Sequence, residues 1–159
     1  LTVVIDASVL IASFAVNESH HKTAFRLLRS VIPENIGLIV PATFVVEVTA
    51  GLARKLAAHA IEPEEADQGL RYARSARFQR VAVDDILADR AAAVAWKMRL
   101  KGYDAVYAAL ALTYSLPLVT FDAELVKRCR AQAVGMRIFD ASDAETELKR
   151  IPQTLAETL

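Results

Sequence analysis

The chain has 159 residues, 54% of them hydrophobic, and its 19 Lys plus Arg are balanced by 19 Asp plus Glu. That length supports one packed core and is too short for two ordinary domains, while the charge balance excludes a protein that grips nucleic acid through a global positive field. No apolar run is long enough to span a bilayer, and the lone Cys129 excludes an internal disulfide or a cysteine-built zinc cluster, so a soluble protein of a reducing cytoplasm, with no membrane segment, is expected.

In chain order, the β-branched run at residues 3–5 predicts a first strand, and residues 19–31 carry helical spacing. Residues 36–40 predict a second strand, 41–58 and 63–78 two helices, and 81–83 a third strand. Helices follow at 86–100 and 103–114, a fourth strand at 116–120, a helix at 123–132 and a fifth strand at 136–139. Short apolar runs alternating with helices predict an α/β protein whose parallel sheet has helices on both faces. There is no internal repeat and no linker longer than a turn. Residues 1–145 form the expected domain, and 146–159, with Pro152 and scattered Thr, the expected loosely ordered tail.

In an open parallel sheet, ligands collect beyond the carboxyl ends of the strands. The first strand ends in Asp6-Ala7-Ser8, the third in Asp84-Asp85, the fourth in Thr120-Phe121-Asp122 and the last in Asp140-Ala141-Ser142-Asp143. Acids at these places also cap helices, accepting from free N–H groups and complementing the dipole. Asp84, Asp85, Asp140 and Asp143 are assigned to that structural role, with Ser142 and Glu145 spaced as a capping box. For Asp6 and Asp122 capping and chemistry both stand. Glu47 is different, because it interrupts the apolar stretch from Phe44 to Ala50 about two turns after Pro41, where no cap is needed. It is either an exposed position on a face shared with Thr43 and Arg54 or a functional acid. Asp104 opens an Ala-rich, nearly all-apolar helix, where it either complements the dipole or stands rigidly at the mouth of a buried element.

Carboxylates without His or Cys suit hard cations such as Mg²⁺ or Mn²⁺, and His20, His21 and His59 offer no ligand spacing. Such ions activate water and neutralise phosphoryl oxygens, so phosphodiester hydrolysis is the natural chemistry. Ser8 and Thr120, each two residues from a strand-end acid, either orient carboxylates or serve as turn hydroxyls. Arg71, Arg74 and Arg77, with Arg80 beyond, read more readily as cations offsetting a helix dipole than as an RNA path. Trp96 and Met98, amid Ala and Val, are expected in the core or in a dimer contact.

Four segments in this order resemble the PIN-domain family, and within it the VapC-like toxin ribonucleases: residues 3–10 around Asp6, residues 40–48 around Glu47, residues 103–111 around Asp104, and residues 118–125 around Asp122. The resemblance runs from Val3 to about Phe139. It implies a three-layer α/β/α sandwich around a parallel sheet of about five strands. It also implies one or two Mg²⁺ or Mn²⁺ ions held by Asp6, Glu47, Asp104 and Asp122, endonucleolytic cleavage of RNA, a small antitoxin partner and a homodimer. Other readings within the resemblance are an RNA-processing nuclease that is no toxin and an inert RNA- or protein-binding module. A phosphotransferase with a nucleophilic Asp on its first strand would show a second acid where Ser8 stands, and a receiver domain would show a Lys near Thr120.

Overall fold

A computed structural model describes residues 2–30, 36–132 and 135–149. The elements are β1 (Thr2–Ile5), α1 (Ala7–Phe14), α2 (His21–Ser30), β2 (Gly37–Pro41), α3 (Phe44–Ala57), α4 (Pro63–Ala73), β3 (Phe78–Val81), α5 (Asp85–Met98), α6 (Gly102–Thr113), β4 (Leu118–Thr120), α7 (Ala123–Gln132), β5 (Ile138–Asp140) and α8 (Ala141–Lys149). All strand pairs are parallel, in the order β3-β2-β1-β4-β5. Helices α1 to α4 and α8 pack among themselves, as do α5 to α7. This is the expected α/β/α arrangement.

The central strand β1 is apolar at every inner position: Val3, Val4 and Ile5 are buried, as are Leu118 and Val119 beside them in β4. A strand covered on both faces reads as a continuous apolar run. The direction in which strands are added reverses about β1, with β2 and β3 laid on one side and β4 and β5 on the other. Ligands bind at such a switch point, outside the strands' carboxyl ends. In the register Ile5 lies beside Val119, and the Asp6 N–H donates to the Val119 carbonyl at 3.0 Å. Asp6 and Thr120 are thereby brought to the same level.

Several boundaries differ from expectation. Helix α1 was not foreseen: its sequence is apolar nearly all round, and five of its eight residues are buried, so no 3.6-residue period separates it from a strand. The third strand lies at Phe78–Val81 and not at 81–83, because it is an edge strand whose Gln79 and Arg80 face solvent. The preceding helix accordingly ends at Ala73. Met98 is in the core as expected, whereas Trp96 is 89% exposed and belongs to no core of this chain. Residues 141–149 form α8, whose first turn is capped by Asp140, accepting from the Ser142 N–H at 2.8 Å, and not by Ser142. Residues 150–159 of the expected tail lie outside the described residues, as does Val31 of the expected second helix.

Candidate active site

Asp6 follows β1 directly and is buried. Its Oδ2 accepts from Ser8 Oγ at 2.5 Å and from Thr120 Oγ1 at 2.7 Å. The same two hydroxyls accept in turn from backbone: Ser8 Oγ from the Phe121 N–H at 3.1 Å, and Thr120 Oγ1 from the Asp122 N–H at 2.9 Å. Two short relays therefore tie the end of β4 to the carboxylate at the end of β1. Both use one oxygen of Asp6 and leave Oδ1 without a hydrogen bond from these hydroxyls.

The other acids arrive from separate elements. Glu47 projects from α3, and Thr43 Oγ1, one turn back, donates to its Oε1 at 3.0 Å. Asp104 lies in the first turn of α6, in the opposite helical layer. Asp122 precedes α7, and its Oδ1 accepts from the Glu124 N–H at 2.8 Å and the Leu125 N–H at 3.0 Å. Capping thus occupies one oxygen of Asp122.

The four acids act on one another. Burial raises the pKa of Asp6 above its ordinary value, against the hydrogen bonds from Ser8 and Thr120. Glu47 is pushed up to about 7, first by burial and then by the charges of Asp6 and Asp104, with the hydroxyls of Thr43 and Tyr107 opposing. Asp104 is pushed up to about 6 by burial, Asp122 and Asp6, with Lys101 and Arg128 opposing. Glu47, Asp6, Asp104 and Asp122 thus form a chain of coupled like charges. Such a set is destabilising unless a cation or protons neutralise it.

Sequence reasoning missed three neighbours. Tyr107, one turn along α6 from Asp104, is wholly buried, and its pKa is raised by burial and by Asp6 and Glu47. Its hydroxyl has no hydrogen bond of ordinary geometry. The i, i+3 spacing to Asp104 was visible, but an aromatic in an apolar helix reads as core. Lys101 and Arg128 border a cleft of about 120 Å³ with Asp104 and Asp122 at its wall. Arg128 is held by Glu124, Nε to Oε1 at 2.6 Å, and donates to the Arg99 carbonyl. A wider groove of about 550 Å³ begins at Ser8 and is lined by Arg54, Lys55, His20 and Phe121, the last two rings 4.6 Å apart. The arginines of α4 and β3 lie at the far sheet edge, where Arg71 pairs with Asp67 at 3.8 Å.

The donor set is oxygen only, two of its acids resist ionisation first through burial and then through their acidic neighbours, and a buried hydroxyl beside them meets no partner in ordinary hydrogen-bond geometry. That chemistry fits a hard divalent cation. Among the described residues, however, no three acidic, His or Cys side chains close around one point as a ready-made metal cage.

The PIN-domain model matches residues 3–131. The chain belongs to the PIN-domain family. Solved structures with similar folds include VapC20 of Mycobacterium tuberculosis, a sarcin-ricin loop cleaving toxin, at 20% identity and a TM-score of 0.63 over 85% of this chain and 98% of that one. A Pyrobaculum aerophilum protein, PAE2754, is 24% identical with a TM-score of 0.61, covering 94% of this chain and 97% of its own. VapBC2 of Rickettsia felis, solved on a DNA fragment from its promoter, is 10% identical with a TM-score of 0.63, covering 87% and 98%. At these identities the likeness shows the fold. No curated protein matches the sequence.

Proposed function

We propose that this PIN-domain protein is a divalent-metal-dependent endoribonuclease and the toxin of a toxin–antitoxin pair. The observation that carries the nuclease reading is the mutual electrostatic coupling of four carboxylates, one after β1, one on α3, one on α6 and one before α7, at the switch point of a parallel sheet. Asp6, Glu47, Asp104 and Asp122 would hold Mg²⁺ or Mn²⁺. When bound, such an ion lowers the pKa of a coordinated water and neutralises charge on the phosphoryl oxygens.

The chain's own residues prepare that site. Ser8 and Thr120 fix Asp6 through one oxygen and leave the other clear of their hydroxyls. Thr43 likewise holds one oxygen of Glu47, and the N-terminus of α7 one oxygen of Asp122. Lys101 and Arg128 at the rim would receive phosphates, so a molecule with no net charge still offers RNA a local positive path. Arg54 and the His20–Phe121 pair continue that path along the wider groove.

The toxin assignment is supported by the neighbours, among them the VapC toxin that cleaves the sarcin-ricin loop and several toxin–antitoxin complexes. An antitoxin would be the protein partner. A second copy of the chain would cover Trp96 and Ile86, both well exposed on α5. The test is end-mapping of cellular RNA after brief induction of wild type and of Asp6→Asn at equal level, followed by cleavage of the mapped RNA by purified protein with and without chelator. New ends that require both Asp6 and divalent metal are expected. Identical RNA profiles from two folded forms would turn the assignment toward an inert binding module.

A further inference from the structure

The Tyr107 hydroxyl is buried beside the acids, and no partner meets it in hydrogen-bond geometry. Its oxygen faces the Glu47 carboxylate and the backbone N–H of Ala7. Buried hydroxyls are nearly always satisfied, because one without a partner has given up its water for nothing, and phenylalanine would fill the same space without that cost. An unpaired phenol against a carboxylate therefore calls for a state in which the pair forms.

The two inner acids make the comparison concrete. Asp6 receives two hydroxyls from two different elements, Ser8 of α1 and Thr120 of β4. Glu47 receives one, from Thr43 at the start of its own helix, and the second hydroxyl that reaches it, that of Tyr107 from α6, lies against the carboxylate without meeting it in ordinary hydrogen-bond geometry. A helix-borne Glu with three side-chain torsions needs a second fixed point more than Asp does.

We propose that Tyr107 is a positioning residue: its hydroxyl donates to the Glu47 carboxylate when a divalent ion binds, and so holds that carboxylate toward Asp6 and Asp104. This deepens the metal-dependent reading above and rests on it. The phenol does not touch the reacting phosphate. It acts through Glu47, as hydrogen-bonding partners outside a metal's own ligands commonly do.

The test is calorimetric titration with Mn²⁺ of wild type, Tyr107→Phe, Glu47→Gln and the double variant, with thermal unfolding of each in chelator. Tyr107→Phe is expected to unfold in chelator at the same temperature as wild type or higher, since it removes only an unpaired oxygen. It is nevertheless expected to bind Mn²⁺ about tenfold more weakly, and to add no further loss on top of Glu47→Gln. Unchanged Mn²⁺ affinity in Tyr107→Phe, or an undiminished loss in the Glu47→Gln background, would overturn the role of Tyr107 while leaving the metal reading intact. A lower unfolding temperature in chelator would make the hydroxyl a structural donor of the metal-free fold and overturn it likewise. Absence of Mn²⁺ binding by wild type would remove the metal reading and this inference together.

Discussion

Acids end the strands both at the middle of this sheet and at its edges, yet the two regions use them differently. Near the ends of the edge strands β3 and β5, Asp84 Oδ1 accepts from the Leu87 N–H at 2.9 Å and Asp140 Oδ1 from the Ser142 N–H at 2.8 Å. Those carboxylates are helix caps. After β1, at the centre, Asp6 makes no side-chain cap bond to its helix and instead takes two hydroxyls from side chains. Asp122, after β4, does both, capping α7 through one oxygen while its charge raises the pKa of Asp104. The residue type is the same throughout. Strand order decides the role, because only at the reversal between β1 and β4 do the loops of both helical layers converge.

The largest expected difference between the two regions is in how stability follows pH. Glu47, at about 7 in the fold against an ordinary 4.5, and Asp104, at about 6 against 3.8, both have raised values. A raised carboxylate is stabilising while protonated, and that contribution is lost as pH rises through the folded value, since the unfolded chain has by then already ionised. Metal-free protein should therefore lose stability on going from about pH 4.5 to pH 7, by on the order of 3 kcal/mol for the two groups together once the screening of these partly exposed carboxylates is discounted. Mn²⁺ at saturating concentration should restore it, with proton release on binding. Urea unfolding at pH 5 and pH 8, with chelator and with Mn²⁺, measures this directly. Glu47→Gln should flatten the dependence, and a wild type whose stability ignores pH in chelator would mean that the central acids are neither desolvated nor coupled.

The next effect concerns the tie between β4 and Asp6. Thr120 is fully buried and serves both ends of a relay, donating to Asp6 and accepting from the Asp122 N–H. Thr120→Val keeps the shape and leaves that N–H and the Asp6 oxygen each short of a partner, at a cost of about 1–3 kcal/mol. Mn²⁺ affinity should fall with it, because Asp6 would keep only Ser8 to hold its orientation. Chemical denaturation and calorimetry on the one variant separate the two consequences.

These contrasts also explain how far the sequence could be read. The β-branched runs around Val3 and Val119 announced central strands because burial on both faces leaves nothing polar to interrupt them. The edge strand β3 was misplaced because Gln79 and Arg80 break its apolar pattern, and α1 was invisible because burial all round erased its period. The proposed quartet of acids was legible through the family resemblance that its four segments carry in order along the chain, and Ser8 and Thr120 from their spacing to Asp6 and Asp122. Tyr107, Lys101 and Arg128 were not. Their relevance depends on which helix crosses which strand end, and that is a property of packing with no signature in local spacing.

The smallest effect closes the comparison from the edge. Asp84→Ala removes the acceptor that the Leu87 N–H uses at the start of α5. Loss of such a cap costs about 1 kcal/mol. It should leave Mn²⁺ affinity and RNA cleavage unchanged, because α5 carries none of the four acids and reaches them only through its packing on α6 and α7. The cost should be nearly the same at pH 5 and pH 8, since Asp84 is not among the acids that raise Glu47 or Asp104. Urea midpoints of wild type and Asp84→Ala at the two pH values, with metal titrations alongside, decide it. A drop in metal affinity comparable to that of Thr120→Val would mean that edge and centre are not separate regions, and that the N-terminus of α5 helps to hold Asp104 in place.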